Sequence, residues 1–150
     1  MDNNSIKSFR DLYVYQNLYK AMIIVHTKIV PKLPKDEKFD LADQMKRASK
    51  GAPSIIAEGF PKRFLQKQWQ KYINDTIGEA DEMIHHLSVC IDVYPQYVDV
   101  GLCKSAIDTY DLCCRQLTKL GESWANYHRR NKIAENELRK TLTTKHQSPH

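Results

Sequence analysis

Apolar positions recur along the chain in steps of three and four residues, the period of one helix face, and four stretches carry the pattern. In the first, from about Asp11 to Val30, Leu12, Tyr15, Tyr19, Met22, His26 and Ile29 form the stripe. Ser8 and Asp11 are candidate N-caps, and Pro31 and Pro34 end the pattern. The second, from Asp36 or Asp40 to Glu58, sets Leu41, Met45, Ala48, Ala52, Ile55 and Gly59 on one face, with Gly59 and Pro61 as terminators. The third begins near Phe64 and is the most regular. Trp69, Ile73, Thr76, Ala80, Met83, Leu87 and Cys90 are widened by Tyr72, Ile77, Ile84 and Ile91 into the broad apolar face of a bundle helix, and Pro95 stops it. The fourth runs from near Asp99 to at least Tyr127, through Leu102, Ala106, Tyr110, Cys113, Leu117, Leu120 and Trp124.

The helical pattern fades after Arg130, and from about Leu142 the residues offer nothing to bury, which predicts disorder there. No strand pattern competes. The prediction is an all-α fold, an antiparallel up-down-up-down four-helix bundle over residues 9–130. It has an N-terminal arm over residues 1–8 and a flexible, basic C-terminal tail over residues 131–150. The second helix breaks a local rule. Gly51 and Pro53 lie inside its pattern, and proline removes a helical N–H and crowds the carbonyl four residues back. This predicts a kinked second helix. Leu18, Val25, Ile107 and Leu112 fall off the main stripes of helices one and four, and the chain holds 8 Tyr and 2 Trp. Apolar residues off the stripe and interface-prone aromatics point to a homo-oligomer.

Composition adds limits more than direction. At 150 residues the chain is one domain's worth, and 41% hydrophobic with 27% charged residues is ordinary for a globular protein. No apolar run reaches the roughly 20 residues that span a bilayer, and the polar Met1-Asp2-Asn3-Asn4-Ser5 is no signal peptide, so the expectation is cytoplasmic with no membrane contact. Cys90, Cys103, Cys113 and Cys114 make no C-x-x-C pair and read as reduced thiols in or near a core.

Charge changes the picture. The net +5 is unevenly spread. Gln44 to Lys71 holds seven cations against Glu58 alone, Tyr72 to His128 holds three against nine acids, and Arg129 to His150 holds six against two. Such polarity suits an anionic partner, or a neighbouring copy docked basic face to acidic face. Lys46, Arg47 and Lys50 share one side of the second helix. Lys62, Arg63, Lys67 and Lys71 continue across the turn, with Phe60, Phe64 and Trp69 among them, and Arg129 and Arg130 open the basic tail. Cations on phosphates and aromatics on unpaired bases make these nine basic residues the candidate nucleic-acid surface.

The chemistry that catalysis needs is thin. Glu82-Met83-Ile84-His85 has the E-x-x-H spacing of di-iron bundles, but no second copy occurs, and His86 with Cys90 is a weak pair, so no metal or cofactor is predicted. Glu58 and Glu82 lie near apolar stripes. They read as braces, Glu58 capping or pairing with Lys62 or Arg63 and Glu82 accepting a hydrogen bond from Tyr or His across the bundle, rather than as an acid–base couple. For a helical ribonuclease, Arg139 and His146 are the nearest approach to an Arg/His pair, and they lie in the tail. No Gly-rich phosphate loop and no Ser/His/Asp arrangement is visible. The chain reads as no enzyme.

Four collinear segments, Phe9–Gln16, Phe39–Ala48, Pro53–Gly59 and Ile77–Glu82, resemble the bacterial four-helix-bundle family of 23S rRNA intervening-sequence proteins. Their typical motifs read F-x-D-L-x-V-W-Q, L-x-x-Q-x-R-R-A, P-S-N-I-A-E-G and G-S-A-x-E-L, and Pro53, Glu58, Gly59, Gly78 and Glu82 stand at motif positions here. Tyr15, Ile55 and Glu79 depart from the family's Trp, Asn and Ser. Leu117–Trp124 is also similar to a sister group, the accessory variability proteins of diversity-generating retroelements. The resemblance implies a homopentamer. From the sister branch it implies a basic surface that binds RNA and a reverse transcriptase as the alternative partner.

Overall fold

The structure, a computed structural model, describes residues 6–146. It is all-α, with four long helices and no strand among the described residues. Helix α1 spans Tyr13–Ile24, α2 Leu41–Gly59, α3 Gln66–Val93 and α4 Val100–His146. Short 3-10 turns at Phe9–Asp11, Val30–Lys32, Lys35–Glu37 and Phe60–Lys62 join or lead into them.

Each boundary has a local cause. Ser8 Oγ accepts from the Arg10 N–H, and Asp11 Oδ2 accepts from the Ser8 N–H, a reciprocal cap on the turn before α1. After Ile24 the helix widens into one π turn, Val25–Ile29, where sequence periodicity predicts plain α-helix. Glu37 Oε2 accepts the Leu41 N–H at the start of α2, a donor the helix itself leaves free. Helix α2 continues through the buried Pro53 to Gly59. Gly59 ends it with φ of −74°, so its value is not a left-handed turn. A Cβ there would stand 2.5 Å from Tyr72 Cγ on α3.

The stripes of α2, α3 and α4 pack inward as the periodicity predicts. Met45, Ala52, Ile73, Met83, Leu87, Cys90, Cys103, Tyr110, Cys113 and Leu117 are all buried. Helix α1 differs. Its buried face is Val14, Leu18 and Ala21, continued by Val25 and Ile29 in the π turn, while Tyr19 is exposed. Leu18 and Val25 are therefore core, not surplus apolar surface, and that part of the sequence argument for an oligomer falls away. The four cysteines are free, and burial pushes the thiols of Cys90 and Cys113 up to about 12. Among the described residues the buried Trp69 Nε1 and Tyr110 hydroxyl have no hydrogen-bond partner.

A flexible tail is expected over 131–150, yet α4 runs unbroken to His146, with every residue from Arg129 to His146 exposed. From Arg129 to His146 there is no Gly or Pro, and most residues are Arg, Lys, Glu or Leu, all good helix formers. A helix already nucleated in the bundle extends at little cost, one bond per residue fixed. Residues 1–5 of the expected arm and 147–150 of the tail lie outside the described residues.

Candidate nucleic-acid interface

The turn between α2 and α3 builds the centre of the site. Phe60 is buried against Trp69, with ring centroids 6.3 Å apart, and this anchors the 3-10 turn that follows α2. Arg63 comes next. Its guanidinium carbon lies 4.0 Å from the Phe60 centroid and 4.5 Å from that of Phe64, and its Nη1 donates to the Phe60 carbonyl at 3.0 Å. Two ring faces and one hydrogen bond hold the group in place and leave four of the guanidinium's five N–H donors outside that bond. Lys62 donates from Nζ to the Tyr72 hydroxyl at 2.9 Å, which holds its pKa above the usual lysine value.

Helix α4 reaches the same place from the other side. The His128 Nε2–H donates to the Arg63 carbonyl at 3.0 Å, since a carbonyl can only accept. Trp124 stands edge-to-face with Phe64 at 5.5 Å and with Tyr127 at 5.1 Å. Together Arg63, Phe64, Trp124 and Tyr127, with Phe60, Leu120, Leu12, Ile6 and Ser123, enclose a cavity of about 280 Å³ at this end of the bundle. Arg129 and Arg130 follow directly on α4, both exposed, with Arg129 bonded to Asn126 Oδ1 at 2.6 Å.

The structure thus brings Lys62, Arg63, Arg129 and Arg130 to one end. Lys67 and Lys71 lie in the first and second turns of α3, on a shallow groove with Gln66, Gln70, Asn74 and Asp75, where Lys71 pairs with Asp75 at 2.8 Å. Lys46, Arg47 and Lys50 stand apart. Nine residues of helix, about 14 Å, separate Lys50 from Gly59. Arg47 faces carboxylates: Asp43 is 3.7 Å away, and Glu79 and Glu82 line a shallow depression with it. Burial first, and then the charge of Glu82, raise the pKa of Glu79. His26, in the π turn, lies within hydrogen-bonding distance of the Lys46 carbonyl (3.3 Å) and Ser49 Oγ (3.1 Å), and burial lowers its pKa.

Trp69 is 1% exposed and Phe60 is buried, so neither offers a face to a base; Phe64, 55% exposed, does. Sequence reasoning missed Trp124, Tyr127 and His128, which lie some 60 residues away in the chain. Their signal was the apolar face of α4 running on past Leu120 toward the turn.

The motif residues serve structure in different ways. Pro53 is buried, and Gly59 lets Tyr72 close on α2. Gly78 has nothing within 4 Å of a built Cβ, so close packing does not explain it. Glu58 is exposed and acts on Lys62 through its charge, without a hydrogen bond among the described residues. Glu82 bonds the buried His86 on its own helix at 3.1 Å, not a group across the bundle, and His85 of the E-x-x-H is exposed. Among the described residues no group of three or more His, Cys, Asp or Glu could hold a metal ion, and no helix is long and apolar enough to cross a membrane.

Fold and site together define an all-α helical-bundle protein with a cationic, aromatic cluster at one end. Residues 10–119 match the family described as 23S rRNA-intervening sequence protein, and the chain belongs to that family. No curated protein matches the sequence. Trp124, Tyr127, His128, Arg129 and Arg130 lie beyond the matched span.

Proposed function

We propose that this chain is a non-enzymatic, cytoplasmic RNA-binding protein that works as a homo-oligomer, a pentamer, of up-down-up-down bundles. The observation that carries the RNA reading is the His128–Arg63 contact, which gathers Lys62, Arg63, Arg129 and Arg130 around the Phe64–Trp124–Tyr127 rings. Cations there neutralise phosphates without regard to sequence. The antiparallel topology is supported by the contacts Met45–Cys90, Gly51–Glu79 and Gly59–Tyr72 between α2 and α3, whose numbers rise on one helix as they fall on the other. The Pro53 ring supports a bend in α2 that tilts the basic turn outward. Exposed Tyr13, Tyr19 and Ile23 on α1 and Leu112 on α4 support the oligomer.

The deciding experiment is binding to a structured RNA as salt rises. With four phosphates neutralised, affinity should fall about 50-fold between 50 and 200 mM salt, from a slope of about −0.7 per phosphate on single strands. Charge reversal of Lys62, Arg63, Arg129 and Arg130 together should flatten that dependence. Undiminished binding by the reversed protein would refute the RNA surface. A second reading is a protein-interaction scaffold for a reverse transcriptase, with RNA contact secondary. It is favoured by the α4 extension, where Ile133, Leu138 and Leu142 are all exposed. Light scattering tests the assembly: a mass of 17.5 kDa at micromolar concentration would exclude the oligomer.

A further inference from the structure

The cavity at the end of the bundle has walls that a phosphate surface alone does not require. We propose that it is a binding pocket for one unpaired purine base of a bound RNA strand, with guanine preferred; the inference rests on the RNA reading above and names what that site holds. Its volume of about 280 Å³ sits just below the roughly 300–1,000 Å³ of sites for drug-sized ligands, a size that suits a single planar base. The Phe64 and Trp124 rings are nearly perpendicular, at 85°, and the Trp124 and Tyr127 rings meet at 71°. A base stacked on one ring therefore meets the edges of the others. Phe64 and Tyr127 keep 55% and 40% of their surface open, so a face is available before any rearrangement.

Arg63 makes the pocket selective. Its guanidinium is held by Phe60 and Phe64 and spends one donor on the Phe60 carbonyl. The remaining fork presents parallel donors, the complement of the O6 and N7 acceptors on guanine. Adenine offers N7 beside a donor and fits that fork less well. A fixed cation in the lining also argues against a cationic ligand. Lys62 precedes Arg63 in the turn, and Arg129 and Arg130 follow His128, so cations flank the mouth where the strand's phosphates would run.

The test holds charge constant and varies one base. Decamers of abasic sugar–phosphate carry a single central guanine, a single adenine, or no base. Binding is read by tryptophan fluorescence, to which Trp124 at the pocket responds while Trp69 is buried. The guanine decamer should bind about tenfold tighter than the baseless one, the loss typical of removing one stacked base. Phe64→Ala should erase that difference, and Arg63→Lys should erase the preference for guanine over adenine. Circular dichroism of both variants guards against unfolding, and both positions lie outside the buried core. Equal, salt-sensitive binding of all three decamers would overturn the pocket and leave the RNA surface standing. Failure of every decamer and of structured RNA to bind would overturn both.

Discussion

A Cβ on Gly59 would stand 2.5 Å from Cγ and 2.6 Å from Cβ of Tyr72, closer than carbon atoms approach, so α2 and α3 meet there across a missing side chain. Gly59→Ala must displace Tyr72 and with it the Lys62 bond to the Tyr72 hydroxyl. Overpacking of this kind costs about 1–3 kcal/mol. Thermal melts should show the loss, and the double variant Gly59→Ala/Tyr72→Ala should be less destabilised than the sum of the singles. Gly78 is the control. Its built Cβ meets nothing within 4 Å, so Gly78→Ala in the middle of α3 should stabilise by about 0.5–1 kcal/mol through helix propensity.

Glu37 ties two helix ends together and sets an acid limit on stability. Its Oε1 accepts from the Tyr94 hydroxyl at 2.5 Å at the end of α3, and its Oε2 accepts the Leu41 N–H at the start of α2. The Tyr94 bond first, and then the Leu41 bond, hold the Glu37 carboxyl below its ordinary value, while the same contact pushes Tyr94 up to about 12. A carboxylate with a depressed folded pKa contributes stability above the unfolded value of 4.5 and loses it as pH falls through the folded one. Tyr94→Phe should therefore lower stability at neutral pH, measured by urea unfolding. The gap from the parent should close as pH drops below 4.5. A gap that persists at low pH would mean that packing, not the ion-assisted bond, is what Tyr94 supplies.

Glu79 should show the opposite sign. Its folded pKa is raised, by burial and then by Glu82, so its protonated form is favoured in the fold. Any stabilisation it gives is present below the unfolded value of 4.5 and is lost as pH rises through the folded value. Glu79→Gln should raise the melting temperature at neutral pH, with the advantage shrinking toward acid. A lower melting temperature at neutral pH would show that attraction to Arg47 outweighs the burial of the carboxylate.

The core was legible where one stripe is clearly more apolar than its neighbours, as in α3 from Trp69 to Cys90. It was misread in α1, where two faces one residue apart both keep three–four spacing. There the fold keeps Leu12 and Ile29 of the expected stripe buried, but between them it buries the aliphatic Val14, Leu18 and Val25 and turns Tyr19 toward water, where its hydroxyl is solvated. The cations of the site could be named from charge alone. Their grouping could not, because Arg63 and His128 are 65 residues apart and only tertiary packing joins them. Two of the acids beside Arg47, Glu79 and Glu82, come likewise from α3, while Asp43, its i,i+4 partner, was readable from spacing alone.

The last part of α4 separates helicity from stability. From Asn131 to His146 the helix is exposed at every position, so it buries nothing that the bundle needs. Its backbone bonds are continued from a helix that the bundle has already nucleated. Truncation after Arg130 should therefore reduce the helical circular dichroism signal in proportion to the residues removed. The midpoint of thermal unfolding should shift by less than about 2 °C, below what 1 kcal/mol produces in a chain of this size. The opposite result is equally informative. Ile133, Leu138 and Leu142 are each more than half exposed in the single chain. If they are covered by another copy, truncation will lower the midpoint, and the loss will grow with protein concentration as mass action requires. A concentration-dependent loss would make the extension part of the assembly rather than a free arm.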